Sequence, residues 1–479
     1  MKKCFAWVLV LAMLLSMCGV VIAAEDAPVA SAADVVIEPQ NAAPAAQDAG
    51  EGEEGSGETP TPVHTDHPVC GDAACTDGSH ATDAEWTAWD GTGAVPTSGN
   101  VYLSGDTVTI ELASAITVDG KTLNLCLNGH TITRSGGRPI AVKNGGTLNI
   151  CDCSGSGAIV GKATTTARGG LIDITGKVSS VSLYHVALKN AKAAKDTKGA
   201  NGNGGAIYVA AGSLNIVGGS IEGCEAAANG GAVYLAAGTS LMLDGVHISK
   251  CKGAKGSAIY IVNKADCTVK GGLIESGEAS ASGAVYVENG GELVLSGAPS
   301  IQGNTKGNVY LAANTTFTLA SDFSAAAKVG VSVAGVDSTT DTQTTFATSA
   351  TDFSQCFTAD ADGVVTAYVA PAEGETDGKL ILKKYQHIHA ICGDASCEEA
   401  DHQIGEWTAW DGTGTIPTEG NVYLTADVTL AANLKPASGK TLNLCLNGYK
   451  LTRSNGRPIN ASGGTLTICD CAETGKVYG

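Results

Sequence analysis

Apolar and small polar residues alternate at a spacing of two along this chain, in short bursts closed by glycine, asparagine and serine. The burst "GGAIYV" begins at residue 204 and returns as "GGAVYL" at 230, "GSAIYI" at 256, "SGAVYV" at 282 and "KGNVYL" at 306. A second line runs beside it: "SLNIV" at 213, "SLMLD" at 240, "CTVKG" at 267 and "ELVLS" at 292. Ile221, Ile248, Ile274 and Ile301 mark a third. Alternation of this kind predicts strands, and the turn residues between them keep each strand short. Each period of about 26 residues therefore predicts three short strands.

Three such strands cannot cover their own apolar face, but stacking one coil on the next does. The predicted class is an all-β parallel β-helix, a solenoid in which each strand pairs with its equivalent one period away. Parity places Ile207 and Val209, Val233 and Leu235, and Ile259 and Ile261 inside. It places Tyr208, Tyr234, Tyr260, Tyr286 and Tyr310 outside, as a strip roughly 19 Å long at a coil rise of ~4.8 Å. A propeller needs a period of ~40 residues and a leucine-rich horseshoe an L-x-x-L-x-L frame, and the chain has neither. Upstream, "KTLNLCLNGHTITRSGGRPIAVKNGGTLNICDC" (121–153) follows the pattern less regularly, and 162–203 reads as a coil with an insertion at "AKAAKDTKGANGNG".

A longer repeat is superimposed. "HPVCGDAACTDGSHATDAEWTAWDGTG" (67–93) returns as "HAICGDASCEEADHQIGEWTAWDGTG" (389–414), "KTLNLCLNGH" as "KTLNLCLNGY", and "GGTLNICDC" as "GGTLTICDC". The organisation predicted is a Cys/His/Trp head at 67–93, β-helix over 94–330, an irregular β or linker region at 331–386, a second head at 387–414 and the start of a second β-helix at 415–479. The second copy stops at Gly479 where the first runs on into its coils, so a longer array is expected, with any wall anchor beyond it.

The "LNLCLNGHTIT" line and the "GGAIYV…GGSIEGC" coils resemble secreted right-handed parallel β-helix proteins of the pectate-lyase-like superfold. The "GGA[IV]Y" turns are similar to the GGAI repeats of chlamydial polymorphic outer-membrane adhesins, although "IEGC", "ISKC" and "IQGN" stand where the FxxN partner motif would fall. The "HxxCG…C…H…W" head resembles repeats in large surface proteins of gut Firmicutes. The resemblance implies a right-handed solenoid on a bacterial surface. It implies no particular activity, because lyases, hydrolases and adhesins share this superfold.

Charge and composition narrow the partners. A net charge of −19 argues against nucleic acid, which needs a basic footprint. Residues 1–24 read as a secretory signal: Lys2 and Lys3, an apolar run, then small residues for cleavage. Met17 directly before Cys18 fits a lipobox poorly. Residues 25–66 hold ten Asp or Glu and no Lys or Arg, which predicts a disordered spacer and leaves the folded part only mildly acidic. No later segment has the ~18 uninterrupted apolar residues of a membrane span. The expected localisation is extracellular or at the bacterial cell surface, as a monomeric rod.

The densest chemistry is His67, Cys70, Cys75 and His80, repeated at the same spacing as His389, Cys392, Cys397 and His402. Two thiolates and two imidazoles suit tetrahedral zinc, and a Cys70–Cys75 disulfide is the alternative in an exported chain. Either role is structural, since four protein ligands leave no open position. Cys224 and Cys251, one coil apart, and Cys126, Cys151 and Cys153 are expected as stacked thiols or an inter-coil disulfide. No four-cysteine iron–sulfur frame and no calcium nonapeptide is present. The tyrosine strip is the candidate ligand-binding surface, against the simpler reading of an aromatic ladder that steadies the sheet.

Enzymes on this superfold need clustered acids on adjacent coils with a basic group beside them. Coils 204–311 contain no arginine, and their acids do not repeat in register, so no carboxylate pair can be nominated. The function expected is therefore non-catalytic: a secreted cell-surface β-helix that binds an extracellular glycan or host surface protein, needing no cofactor beyond a structural zinc. A polysaccharide lyase or glycoside hydrolase is the alternative.

Overall fold

Ile207, Val233, Ile259, Val285 and Val309 lie opposite one another on successive parallel strands and are fully buried. Each such residue contributes about 1.5–3 kcal/mol by leaving water. The computed structural model describes residues 67–479 apart from 73, 77, 81–84, 163, 166–167, 198–201, 340–342, 386, 388, 395–396, 398–401 and 403–404. The signal and acidic segments expected at 1–24 and 25–66 lie outside the described residues, bar none of their positions. Within the described part the chain is an all-β parallel solenoid of about 14 turns.

Three columns of strands build each coil, as the periodicity predicts. One is a ten-stranded parallel sheet running from Thr87–Trp89 and Gly99–Leu103 to Glu292–Ser296 and Thr318–Leu319. The other two contain Ile207–Val209 and Ser220–Glu222 with their equivalents. They merge where Lys328–Val333 pairs with Ser300–Ile301 by its first half and with Val309–Leu311 by its second. Along the ten-stranded sheet, Asn100, Asn124 and Asn149 form a side-chain amide ladder with links of 2.7 and 2.8 Å.

A fourth column was not predicted. Thr164–Thr165, Lys192–Ala193, Glu225–Ala226, Lys252–Lys255 and Glu278–Ser282 form a five-stranded parallel sheet. Its strands are too short and too polar to show alternation. Register brings Lys192, Glu225, Lys252 and Glu278 into one line of alternating charge, with Lys192–Glu225 at 2.8 Å and Lys252–Glu278 at 2.7 Å. Like charges would oppose each other if a coil slipped, so the line specifies register more than it adds stability.

The far end of the first solenoid is closed by an antiparallel sheet of Thr344–Ser349, Val364–Val369 and Gly378–Lys384. Phe317, Phe323, Phe346, Phe353 and Phe357 pack together there, with ring centroids 5.0–5.9 Å apart. An open solenoid end exposes apolar coil, and this cluster covers it. The second unit has its own core around Leu424, Leu434, Leu444 and Leu451. Among the described residues no helix is long and apolar enough to cross a membrane.

Candidate metal centres and the tyrosine column

Each head folds onto the flank of its first coils. The tight Cys-Gly turn starts both: Gly71 N–H donates to Pro68 O at 2.9 Å and Gly393 N–H to Ala390 O at 2.9 Å. Gly71 has φ +77°, and a Cβ there would lie 3.1 and 3.3 Å from Cβ and Sγ of Cys151, so glycine alone brings the turn down onto the coil. Trp86 Nε1 donates to His67 O at 3.1 Å and Trp407 Nε1 to His389 O at 3.0 Å. The same indoles lie against the imidazoles, at 4.2 and 4.4 Å between centroids. The first tryptophan of "EWTAW" thus sets the orientation of the first histidine of its head.

That orientation divides the tetrad expected from the sequence. Cys70, Cys75 and His80 stay together, with Cys75 Sγ 3.3 Å from His80 Nδ1, but His67 turns instead to Cys126 and Cys151. The second head does the same. Cys392, Cys397 and His402 form one trio, while His389 joins His387, Cys445 and Cys471. The correction has a local cause. A carbonyl only accepts, so Nδ1 of His67, 2.8 Å from Pro68 O, carries the ring proton, and Nδ1 of His389 does likewise 2.6 Å from Ala390 O. Nε2 of His67 is thereby left as the lone-pair nitrogen beside Cys126 and Cys151, and Nε2 of His389 is the lone-pair nitrogen 2.7 Å from His387 Nε2.

Those cysteines come from strand ends in register. Tyr102, Cys126, Cys151, Tyr184 and Val217 stack on successive coils beneath the first head, and Cys445 opposes Cys469 beneath the second. In each "CDC" the central aspartate anchors the turn. Asp152 is buried and accepts from the N–H groups of Gly129 at 2.8 Å and Gly157 at 2.5 Å; Asp470 accepts from Gly448 at 2.7 Å and Gly475 at 2.5 Å. The flanking cysteine is then set back towards the preceding coil: Cys126 and Cys153 Sγ are 3.2 Å apart, Cys445 and Cys471 Sγ 3.5 Å. The Cys445 thiol is pulled well below its usual range, by hydrogen bonding to Cys469 first and then to His387 and Cys471. Cys224 and Cys251 are buried thiols bonded to strand carbonyls, in the stack expected of them.

The tyrosines form one continuous column. Tyr208, Tyr234, Tyr260, Tyr286 and Tyr310 pair in register, with ring centroids 4.9, 5.3, 5.0 and 5.2 Å apart and planes within 11°. A strand spacing of ~4.8 Å leaves in-register rings no other packing. They stand on the side away from the core, yet Tyr260 and Tyr286 are only 5% and 8% exposed. Glu288 accepts from the Tyr260 hydroxyl, and Lys255 lies 4.8 Å from the Tyr286 ring centroid. Burial, with Tyr208 and Glu288 nearby, pushes Tyr234 up to about 12. Inside the column each ring face is occupied by its neighbour, so the interior rings present edges and hydroxyls, not faces.

The two ends of the column differ. Below Tyr208 the register position is Asp173, held by Arg138 at 3.0 Å and Arg168 at 3.4 Å, and the Arg168 guanidinium lies 4.7 Å from the Tyr208 ring centroid. Arg138 and Arg168 close this end. Arg134 does serve its turn, donating to Arg138 O at 2.8 Å. Burial raises the Asp173 carboxyl against the pull of the two arginines. A raised carboxyl contributes stability that is present below the ordinary value of about 3.9 and lost as pH rises through the folded value. Wild type is therefore expected to lose stability relative to Asp173→Asn as pH rises from the ordinary carboxyl value towards neutrality. Urea unfolding of both proteins across that range checks this; a pH-independent difference refutes it.

Beyond Tyr310 the register position is Ser332. The change from phenol to hydroxymethyl opens a cleft of about 550 Å3, lined by Asn304, Lys306, Tyr310, Ser332, Asp337 and Asp360. Asp360 accepts from the backbone and side-chain N–H of Asn308 at 2.7 and 2.6 Å, and burial raises its carboxyl. Nothing in the sequence pattern marks this cleft, because its polar residues come from the coil turn and from the closing region.

Several acids of the coils pair with basic neighbours: Glu222 with Lys250 at 2.7 Å, Asp244 with Lys270 at 3.0 Å and Glu275 with His247 at 3.2 Å. Against the expectation that none repeats in register, Asp266 and Glu292 lie opposite each other on adjacent coils. No family model, curated protein or solved structure matches the chain.

Proposed function

We propose that this is a non-catalytic, secreted cell-surface protein of the bacterial adhesin type, and that it binds an extracellular glycan in the cleft at the end of the tyrosine column. The observation that carries the reading is the step from Tyr310 to Ser332, which leaves one aromatic face of the column towards a polar cleft. A sugar ring pairs its apolar face with an aromatic plane and its hydroxyls with amides and carboxylates, and Tyr310 with Asn304, Lys306 and Asp360 supplies both. The cleft volume falls within the range of small-molecule sites. The remaining tyrosines align and stiffen that last ring, and their edges add a polar, repetitive surface for a longer chain or a host protein.

Ser332→Tyr tests this by adding a sixth ring where the ligand would lie. On a glycan array it is expected to abolish binding, and Tyr310→Ala to weaken it about tenfold or more. Tyr208→Ala, at the arginine-closed end, is expected to leave it unchanged. Binding unaffected by Ser332→Tyr, or no bound glycan at all, overturns the proposal. New unsaturated-sugar absorbance on a polysaccharide panel would favour the lyase alternative.

A further inference from the structure

The structure also gathers metal-type donors that lie far apart in the sequence. We propose that His387, His389, Cys445 and Cys471 hold a zinc ion that clasps the second head to two successive coils. This centre is separate from the Cys392, Cys397 and His402 trio, and it does not depend on the glycan reading.

The donor set fits the ion. One ligand atom from each of His387, His389, Cys445 and Cys471 lies within 4.8 Å of the other three. Tetrahedral zinc, with bonds of about 2.0–2.1 Å to nitrogen and about 2.3 Å to sulfur, needs edges of roughly 3.3–3.8 Å between its ligands. Cys445 and Cys471 Sγ are 3.5 Å apart and Cys471 Sγ is 3.8 Å from His387 Nε2. Of these three edges, the one between the two imidazole nitrogens, 2.7 Å, would have to lengthen by roughly half an ångström.

The surroundings are those of a structural site. His389 is buried and its Nδ1–H is spent on Ala390 O, which leaves Nε2, 2.7 Å from His387 Nε2, as its ligand atom. His387 is buried, lies flat on Tyr423 at 4.2 Å and has Nδ1 3.2 Å from the Tyr385 hydroxyl. Cys445 ends the strand Thr441–Cys445, and Cys471 follows Thr465–Cys469 on the next coil. One ion would therefore join three segments that no continuous strand connects. In the first unit the corresponding gathering is a trio, His67, Cys126 and Cys151, with Cys153 Sγ 3.2 Å from Cys126 Sγ but outside the mutual proximity of the three. There the sulfurs outnumber the imidazoles, an arrangement zinc accepts equally.

Zinc binding and disulfide formation give opposite results in one experiment. The full chain is purified without chelator, and each cysteine is followed by alkylation and mass spectrometry before and after chelation. Cys445 and Cys471 are expected to resist alkylation until the chelator is added. The zinc content of Cys445→Ser/Cys471→Ser is expected to fall by about one ion per chain, with labelling of Cys392 and Cys397 unchanged. A Cys445–Cys471 cross-link released only by reductant, or alkylation indifferent to chelator, overturns the proposal. Because Cys445 is fully buried and its loss could disturb the coil, His387→Cys provides a gain of signal. In the cobalt-substituted protein a third thiolate is expected to raise the sulfur-to-cobalt absorbance of this centre by about half. An unchanged band likewise overturns it.

Discussion

Alanine at Gly231 is expected to destabilise the solenoid by about 3 kcal/mol or more, although it adds one methyl group. A Cβ on Gly231 would lie 2.0 Å from Ser257 O and 2.6 Å from Lys252 O, both backbone atoms of the next coil. Neither can withdraw, since Gly231 N–H donates to Gly256 O at 2.9 Å and the strands beside it are paired in register. Gly205 meets Gly231 O at the same 2.0 Å one coil earlier, so the second glycine of "GGA" marks coil-to-coil clearance. Gly238→Ala is the control: unlike Gly231, Gly238 has a positive φ, +75°, but its Cβ would enter open space, and only about 1–2 kcal/mol of backbone strain is expected. Urea unfolding of the two variants decides between them, and equal losses would refute the clearance argument. Because each coil contacts only its neighbours, faster hydrogen exchange in Gly231→Ala should be strongest over the coils adjoining residue 231.

Asp152→Ala is expected to cost about 2–6 kcal/mol, from two amides left without an acceptor in a buried turn at about 1–3 kcal/mol each. The carboxylate is 5% exposed and bridges Gly129, at the end of one coil, to Gly157 in the next turn. Asp152→Asn keeps one acceptor oxygen and should lose about half as much. Asp470 makes the same two bonds in the second unit, so Asp470→Ala should repeat the effect there. Thermal unfolding measures the loss, and the alkylation rate of Cys153 should rise once its turn is loosened. Stability within about 0.5 kcal/mol of wild type for both Asp152 variants would show that the turn does not depend on these bonds.

Periodicity reached far into this fold, for a reason visible in the columns. Ile207, Val233 and Ile259 meet because a repeating chain that pairs coil on coil must place equal positions opposite each other. The tyrosines followed by parity alone. The fourth strand escaped notice because Glu225–Ala226 and Lys192–Ala193 hold two residues each, too few to alternate. The closing sheet around Phe346 escaped because it is antiparallel and repeats nothing.

The candidate sites were legible only in part. The head's cysteines and histidines stood out by their exact return at fixed spacing, but spacing cannot say which way a ring turns. Trp86 and Pro68 turn His67 towards Cys126 and Cys151, more than fifty residues on, and that partnership has no local signature. Arg138, Arg168 and Asp173 carry no mark of their partnership in the sequence; register reveals it by placing the aspartate beneath Tyr208.

By itself, then, the order of residues determined the coil, its inward and outward faces and the columns they generate, because strand alternation and repeat length are properties of the chain alone. Tertiary structure decided which donors share a centre, what closes each end of the tyrosine column and where a cleft opens. Those depend on contacts between segments far apart in sequence, where a side chain's direction is set by neighbours that only folding supplies.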